Sequence, residues 1–231
     1  MLSLVRSPED PKATGRLVPF VVAGTVLLLA AAFLKLADSV RESELAVRLD
    51  RNALDFVVHH RVAWISRIAR FATLLGSAWV VVIVILAAAA VLVRLHRPID
   101  ALFVALSSAG TAGLVAVVKH VVGRSRPVAA DRLVAAGGAA FPSGHAAQSV
   151  ACYAALAVVV ATTSRTTKVR VLAWVSAATI ALVVGASRVY LGVHWPSDVV
   201  SGWLLAGGWL LTLVGLRATF WRAGRPTRLS W

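Results

Sequence analysis

Phe71–Val93, FATLLGSAWVVVIVILAAAAVLV, runs for 23 residues without a charge. A helix needs roughly 17–25 apolar residues to cross a bilayer. Strands of a membrane barrel alternate apolar and polar residues, which this run does not. Five more uncharged windows flank it: Leu17–Leu34, Ala101–Val118, Ala146–Ser164, Val171–Ser187 and Val199–Leu216. Backbone groups in hydrocarbon must bond within their own segment, so each window is expected to be a helix. The predicted fold is therefore all-α: a polytopic membrane protein with six transmembrane helices in a bundle. Residues 37–70 mix charges with Leu45, Leu49, Leu54, Val57, Val58, Ile65 and Ile68 at three- and four-residue spacing. That pattern predicts an amphipathic segment between the first and second spans.

Composition agrees. The chain is 59% hydrophobic and 15% charged, against about 45–50% and about 25% in soluble domains. A net charge of +14 in a soluble protein would suggest nucleic acid. Here the basic residues flank apolar runs, which is how membrane proteins carry them, so no nucleic-acid partner is expected. Cys152, the single cysteine, has no disulfide partner and reads as a small buried hydrophobe. Leu17–Leu34 exceeds the 7–15 residues of a signal-peptide core, so it is read as a retained first helix. The chain divides into a cytoplasmic N-terminal segment (1–16), a membrane domain (17–216) and a basic C-terminal tail (217–231) lying on anionic head groups. Lys and Arg split evenly between the two faces, 12 and 12. The short basic turns at 94–98 and 165–170 and the tail favour the cytoplasm for the termini.

Three polar motifs interrupt this background. KHVVGRSRP (Lys119–Pro127) closes the third window, PSGH (Pro142–His145) opens the fourth, and SRVYLGVHWPSD (Ser187–Asp198) joins the fifth to the sixth. Because successive spans reverse direction, all three fall at one membrane face, here expected to be extracytoplasmic. Singly, each has an ordinary explanation: an Arg beside a span snorkels, and Ser-Gly caps a helix. Together they are what phosphoryl transfer requires, since negative charge spreads over three oxygens and must be met by positioned cations. Lys119, Arg126 and Arg188 supply that charge. Ser143 and Gly144 open a helix whose free amides attract an anion. His194 and Asp198, four apart across a helix start, can meet, the carboxylate orienting the imidazole as a nucleophile. His145 is in position to protonate a leaving oxygen. Arg124, Asp131 and Arg132 are expected to be solvated loop residues, and His59, His60 and His120 are given no role.

These motifs resemble the type 2 phosphatidic acid phosphatase family, whose superfamily includes vanadium haloperoxidases and bacterial acid phosphatases. The family signature K-x6-RP, PSGH and SR-x5-H-x3-D is matched at every fixed position, and the resemblance extends from about residue 17 to 216. It implies metal-free, cofactor-free hydrolysis of a lipid phosphate or diphosphate through a phosphohistidine, with undecaprenyl diphosphate, phosphatidylglycerol phosphate and phosphatidic acid as candidates. It makes His194 the nucleophile, Asp198 its orienting partner and His145 the general acid. Lys119, Arg126, Ser143, Gly144 and Arg188 then hold the phosphate. The resemblance leaves two alternatives: transfer to an alcohol by the same site, or haloperoxidase chemistry, against which six apolar spans argue. The expected setting is a bacterial plasma membrane, with membrane lipids as neighbours.

Overall fold

The computed structural model describes residues 11–223, with side chains from 19 to 218. The described residues form α1 (Pro11–Glu42), α2 (Glu44–His59), α3 (Ala63–Ala72), α4 (Ala78–Arg94), α5 (Pro98–Val122), α6 (Gly144–Ser149), α7 (Ala155–Thr163), α8 (Thr167–Tyr190) and α9 (Pro196–Ala223), with no strand among them. Five helical segments are long and apolar enough to cross a membrane, and the pair containing α3 and α4 makes a sixth span if counted together. The protein is thus a multi-pass, all-α membrane protein. The reading of residues 1–10 and of most of the C-terminal tail falls outside the described residues.

α5 is central, packing on α4, α6 and α9, while α8 lies against α3, α6 and α7, and α1 runs along α9. The interior is built largely from small residues with a few larger anchors (Leu92, Phe103, Val104, Val159 and Leu210). Small residues suit a bundle in lipid, where association depends on close packing. Leu27, Leu28, Ile83, Leu86, Leu172 and Leu182 point outward, as expected of faces that meet acyl chains.

The second span departs from the straight helix expected over Phe71–Val93. It breaks at a 3-10 turn, Thr73–Gly76, with α3 and α4 inclined by 49°. Ser77 leaves the helical region (φ −72°, ψ 147°) and donates its hydroxyl to the Leu74 carbonyl at 2.6 Å. Adjacent Gly and Ser are common kink positions because neither side chain braces the turn. Tertiary packing uses the break: a Cβ on Gly76 would lie 2.7 Å from the carbonyl oxygen of His145 and 2.6 Å from Val184. Only Gly lets the kinked turn press on the start of α6.

The amphipathic segment is present as α2 and α3. Ser43 caps α2 by accepting from the Ala46 amide at 3.4 Å. Leu45, Leu49 and Phe56 face outward, whereas Leu54 and Asp50 are buried. A π-helical turn, Val150–Ala154, joins α6 to α7. Its displaced Ala151 carbonyl accepts from Ser107 Oγ at 2.8 Å, which satisfies a group that lipid could not.

Candidate active site

The C-terminus of α5, the N-terminus of α6 and the α8–α9 turn meet at one end of the bundle, as the span count requires. Backbone hydrogen bonds lock them together. Ala140 donates to Arg124 O at 2.8 Å, Leu133 to Leu191 O at 2.9 Å, and Ser143 to Asp198 O at 2.8 Å. The α8–α9 turn depends on Gly192 (φ +71°), where a Cβ would lie 2.2 Å from the Asp131 carbonyl oxygen. A left-handed residue that close to a neighbouring backbone must be glycine.

His194 is almost fully buried. Its Nδ1 lies 3.3 Å from Asp198 Oδ2, and its Nε2 lies 3.1 Å from Arg126 Nη1. A guanidinium can only donate, so Nε2 is the acceptor, and the ring proton sits on Nδ1, donated to Asp198. Burial, reinforced by the charges of Arg188 and Arg126, pushes the His194 pKa from 6.5 down to about 4, with Asp198 opposing. The imidazole is therefore neutral near pH 7, with a lone pair turned toward Arg126.

The cations are held by neutral acceptors. Arg126 donates to the carbonyls of Gly137 (3.1 Å), Gly138 (3.0 Å) and Val193 (2.7 Å). Burial lowers its pKa, Asp198 opposing, but an Arg stays charged in this setting. Lys119 donates to the Ala139 carbonyl. Arg188 is buried on α8, with Nη1 donating to Thr73 Oγ1 at 2.8 Å and Nε without a partner. Thr73 comes from the 3-10 turn of the kinked second span, so the kink serves the site as well as the packing.

His145 opens α6 half-buried, within electrostatic reach of Arg188, His194, Arg126 and Lys119. Ser143 is the N-cap residue of α6, as expected, but its hydroxyl makes no capping bond and has no partner at all. The amides of Gly144, His145 and Ala146 have no preceding helical carbonyl to bond. The eight residues singled out in the sequence thus come together where these three segments meet, bringing cations, an unpartnered hydroxyl and a helix start close to His194.

A family model for the PAP2 superfamily matches residues 101–222. Phosphatidylglycerophosphatase B of Bacillus subtilis is 31% identical over 146 residues, covering 63% of this chain and 71% of that protein. The undecaprenyl-diphosphatase of Sulfolobus acidocaldarius is 54% identical over 37 residues, but the match covers only 16% of this chain and 18% of that protein. The crystal structure of the transmembrane PAP2 type phosphatidylglycerolphosphate phosphatase from Bacillus subtilis superposes with a TM-score of 0.78 at 27% identity, covering 88% of this chain and 99% of that one. Aquifex aeolicus LpxE shares the fold, with a TM-score of 0.56 at 20% identity over 73% and 95% of the two chains. The chain belongs to the PAP2 superfamily. It is a membrane-embedded phosphatase of the PAP2 type, a hydrolase of phosphate esters.

Three residues of this PAP2 site behave differently from their sequence reading. Arg124, expected to be solvated, bridges Asp198 Oδ1 and Asp50 Oδ2, each at 2.7 Å, and lies over the Trp195 ring at 5.5 Å. Asp50, which reads as one charge of a surface helix, is buried against Ser197 and Arg124. Arg132, also expected in solvent, staples its own loop by donating to the carbonyls of Pro127 and Ala136. Sequence offered one signal for Asp50: a charge at the same helical phase as Leu54.

Proposed function

We propose that this protein hydrolyses lipid phosphates or diphosphates through a phosphohistidine on His194. The observation that carries the reading is the orientation of His194, with Nδ1 bonded to Asp198 and Nε2 turned toward Arg126. In the proposed step, Nε2 attacks phosphorus while Lys119, Arg126 and Arg188, the Ser143 hydroxyl and the Gly144 amide hold the phosphoryl oxygens. The P–O bond to the lipid breaks, and His145 delivers a proton to the departing oxygen. A water deprotonated by His145 then attacks the phosphohistidine, releasing inorganic phosphate and restoring neutral His194. Cations do the electrostatic work, so phosphate release is expected to persist in EDTA; loss on chelation with recovery on adding a divalent cation would overturn that.

A lipid substrate is supported by the site's place at the ends of membrane helices, where a head group can enter while its tail stays in the bilayer. The names of the two relatives suggest isoprenoid diphosphates and phosphatidylglycerol phosphate as the first substrates to test. The proposed setting is a bacterial plasma membrane with the site on the extracytoplasmic face. Purified protein in detergent should release phosphate from at least one lipid in a panel of isoprenoid and glycerolipid phosphates, and specificity constants rank them. Release from water-soluble phosphate esters alone would contradict the lipid assignment.

A further inference from the structure

Asp198 is fully buried, and a buried carboxylate needs an opposite charge close by. His194 is neutral and supplies a hydrogen bond without a charge. Arg124 supplies the charge: Nη1 bonds to Asp198 Oδ1 at 2.7 Å, leaving Oδ2 for His194 and for the Trp195 amide at 2.9 Å. The other end of the same guanidinium bonds to Asp50 Oδ2 at 2.7 Å. Asp50 in turn accepts from the Ser197 amide at 3.0 Å and from the Ser197 hydroxyl, so it satisfies the first turn of α9, the helix that carries Asp198. A continuous line of bonds therefore runs from α2 through Arg124 and Asp198 to the His194 ring.

We propose that Arg124 and Asp50 are positioning residues for the reaction at His194. Arg124 holds the Asp198 carboxylate with Oδ2 aimed at Nδ1, and Asp50 holds Arg124 and the α9 start in register. Neither residue is a fixed position of the family signature: Arg124 occupies a variable place inside the first motif, and Asp50 lies outside all three. Asp50 also ties the alignment of the catalytic histidine to the seat of the amphipathic helix α2. The inference rests on His194 being the reacting group.

The test uses full-length protein in detergent. Arg124→Gln is expected to lower kcat about 10–100-fold, by analogy with the loss of an outer partner that orients a metal-binding histidine, with KM unchanged. Its kcat/KM profile should show the acid limb moved to higher pH, because Asp198 without Arg124 stabilises the imidazolium more strongly. Asp50→Asn should have a smaller effect of the same kind, with Asp50→Glu recovering part of it. The Asp50→Asn/Arg124→Gln double variant should be no slower than Arg124→Gln alone, the signature of one coupled unit. Variants that melt at lower temperature but keep wild-type kcat and pH profile would make the pair a structural brace and overturn the proposal.

A second readout is independent of turnover. In 15N-histidine spectra, wild-type His194 should be the Nδ1–H tautomer, and Arg124→Gln should show a mixture of tautomers. Arg124→Lys, which keeps one charge but cannot bridge both carboxylates, should fall between them. An unchanged tautomer in Arg124→Gln overturns the positioning role even if no lipid in the panel is cleaved, whereas a wild-type protein inert on every lipid, with the tautomer shift intact, sinks the functional reading alone.

Discussion

At the end of the bundle away from the motifs, Asp100 lies between Arg97 at 2.6 Å and Arg217 at 2.5 Å. Arg217 also rests over the Phe103 ring at 5.4 Å. At the motif end, Lys119, Arg126 and Arg188 have no carboxylate within ion-pair distance among the described residues, and bond instead to carbonyls and the Thr73 hydroxyl. Both ends are held together by basic side chains, but at the far end the charges are matched by a carboxylate. A cation matched by a carboxylate neutralises its own field, whereas cations held by neutral acceptors keep it available in a low-dielectric setting. The first arrangement fastens helices; the second leaves its charge free for the phosphate of the proposed reaction. Arg124 is the exception that clarifies the rule, since among the described residues it is the one cation of the three motifs paired with carboxylates, Asp50 and Asp198.

The contrast can be broken most sharply at His194, the proposed nucleophile. His194→Ala should lower kcat/KM for lipid phosphate by about 10⁴-fold or more while leaving the helical circular dichroism intact; a variant that kept its activity would remove His194 from the reaction. Next in size, Arg188→Lys and Arg126→Lys keep the charge but lose the planar fork, and should each cost about 10²–10³-fold in kcat/KM. A loss below about tenfold would mean that charge alone suffices and that the geometry of the acceptors matters little.

The pH dependence sharpens the comparison more gently. With its folded pKa near 4 instead of 6.5, His194 is neutral across the neutral range, so the acid limb of kcat/KM should lie near pH 4. The same depression means the unfolded chain binds the extra proton between about pH 6.5 and pH 4. The contribution of His194 to stability is therefore complete above about pH 6.5 and lost as pH falls toward 4. Wild-type protein should lose more melting temperature between pH 7 and pH 5 than His194→Gln does, and equal losses would refute the buried neutral imidazole.

Activity should respond least to the opposite end. Asp100→Asn leaves Arg97 and Arg217 without their shared carboxylate and should cost about 3 kcal/mol, or about 6–12 °C in melting temperature for a chain of this size. Turnover at a temperature where the variant is folded should match wild type. A large fall in kcat would show that the two ends are coupled and not merely different.

How much of this was legible beforehand varies with the range of the interaction. Span lengths and apolar continuity placed all six crossings, and reversal of direction at each crossing put Lys119, His145 and His194 at one face. The kink at Gly76 and Ser77 was visible as a Gly-Ser pair, but the apolar run hid it, because its purpose is to bring Thr73 to Arg188 and Gly76 to His145. Asp50 and Arg124 looked like solvated charges because their partners are distant in the chain: Asp50 and Ser197 are separated by 147 residues, Arg124 and Asp198 by 74. A charge pattern read over one or two helical turns carries no record of such pairings.

By itself, then, the order of residues determined a six-span helical bundle with a basic, histidine-bearing face, since bilayer thickness and backbone hydrogen bonding leave an apolar run of 17 to 23 residues no other stable form. Only the tertiary structure decided which charges are matched and which are left to act. Burial makes each charge dependent on whichever partner the packing brings within about 3 Å, and for Asp198 that partner was Arg124, braced by a helix on the far side of the sequence.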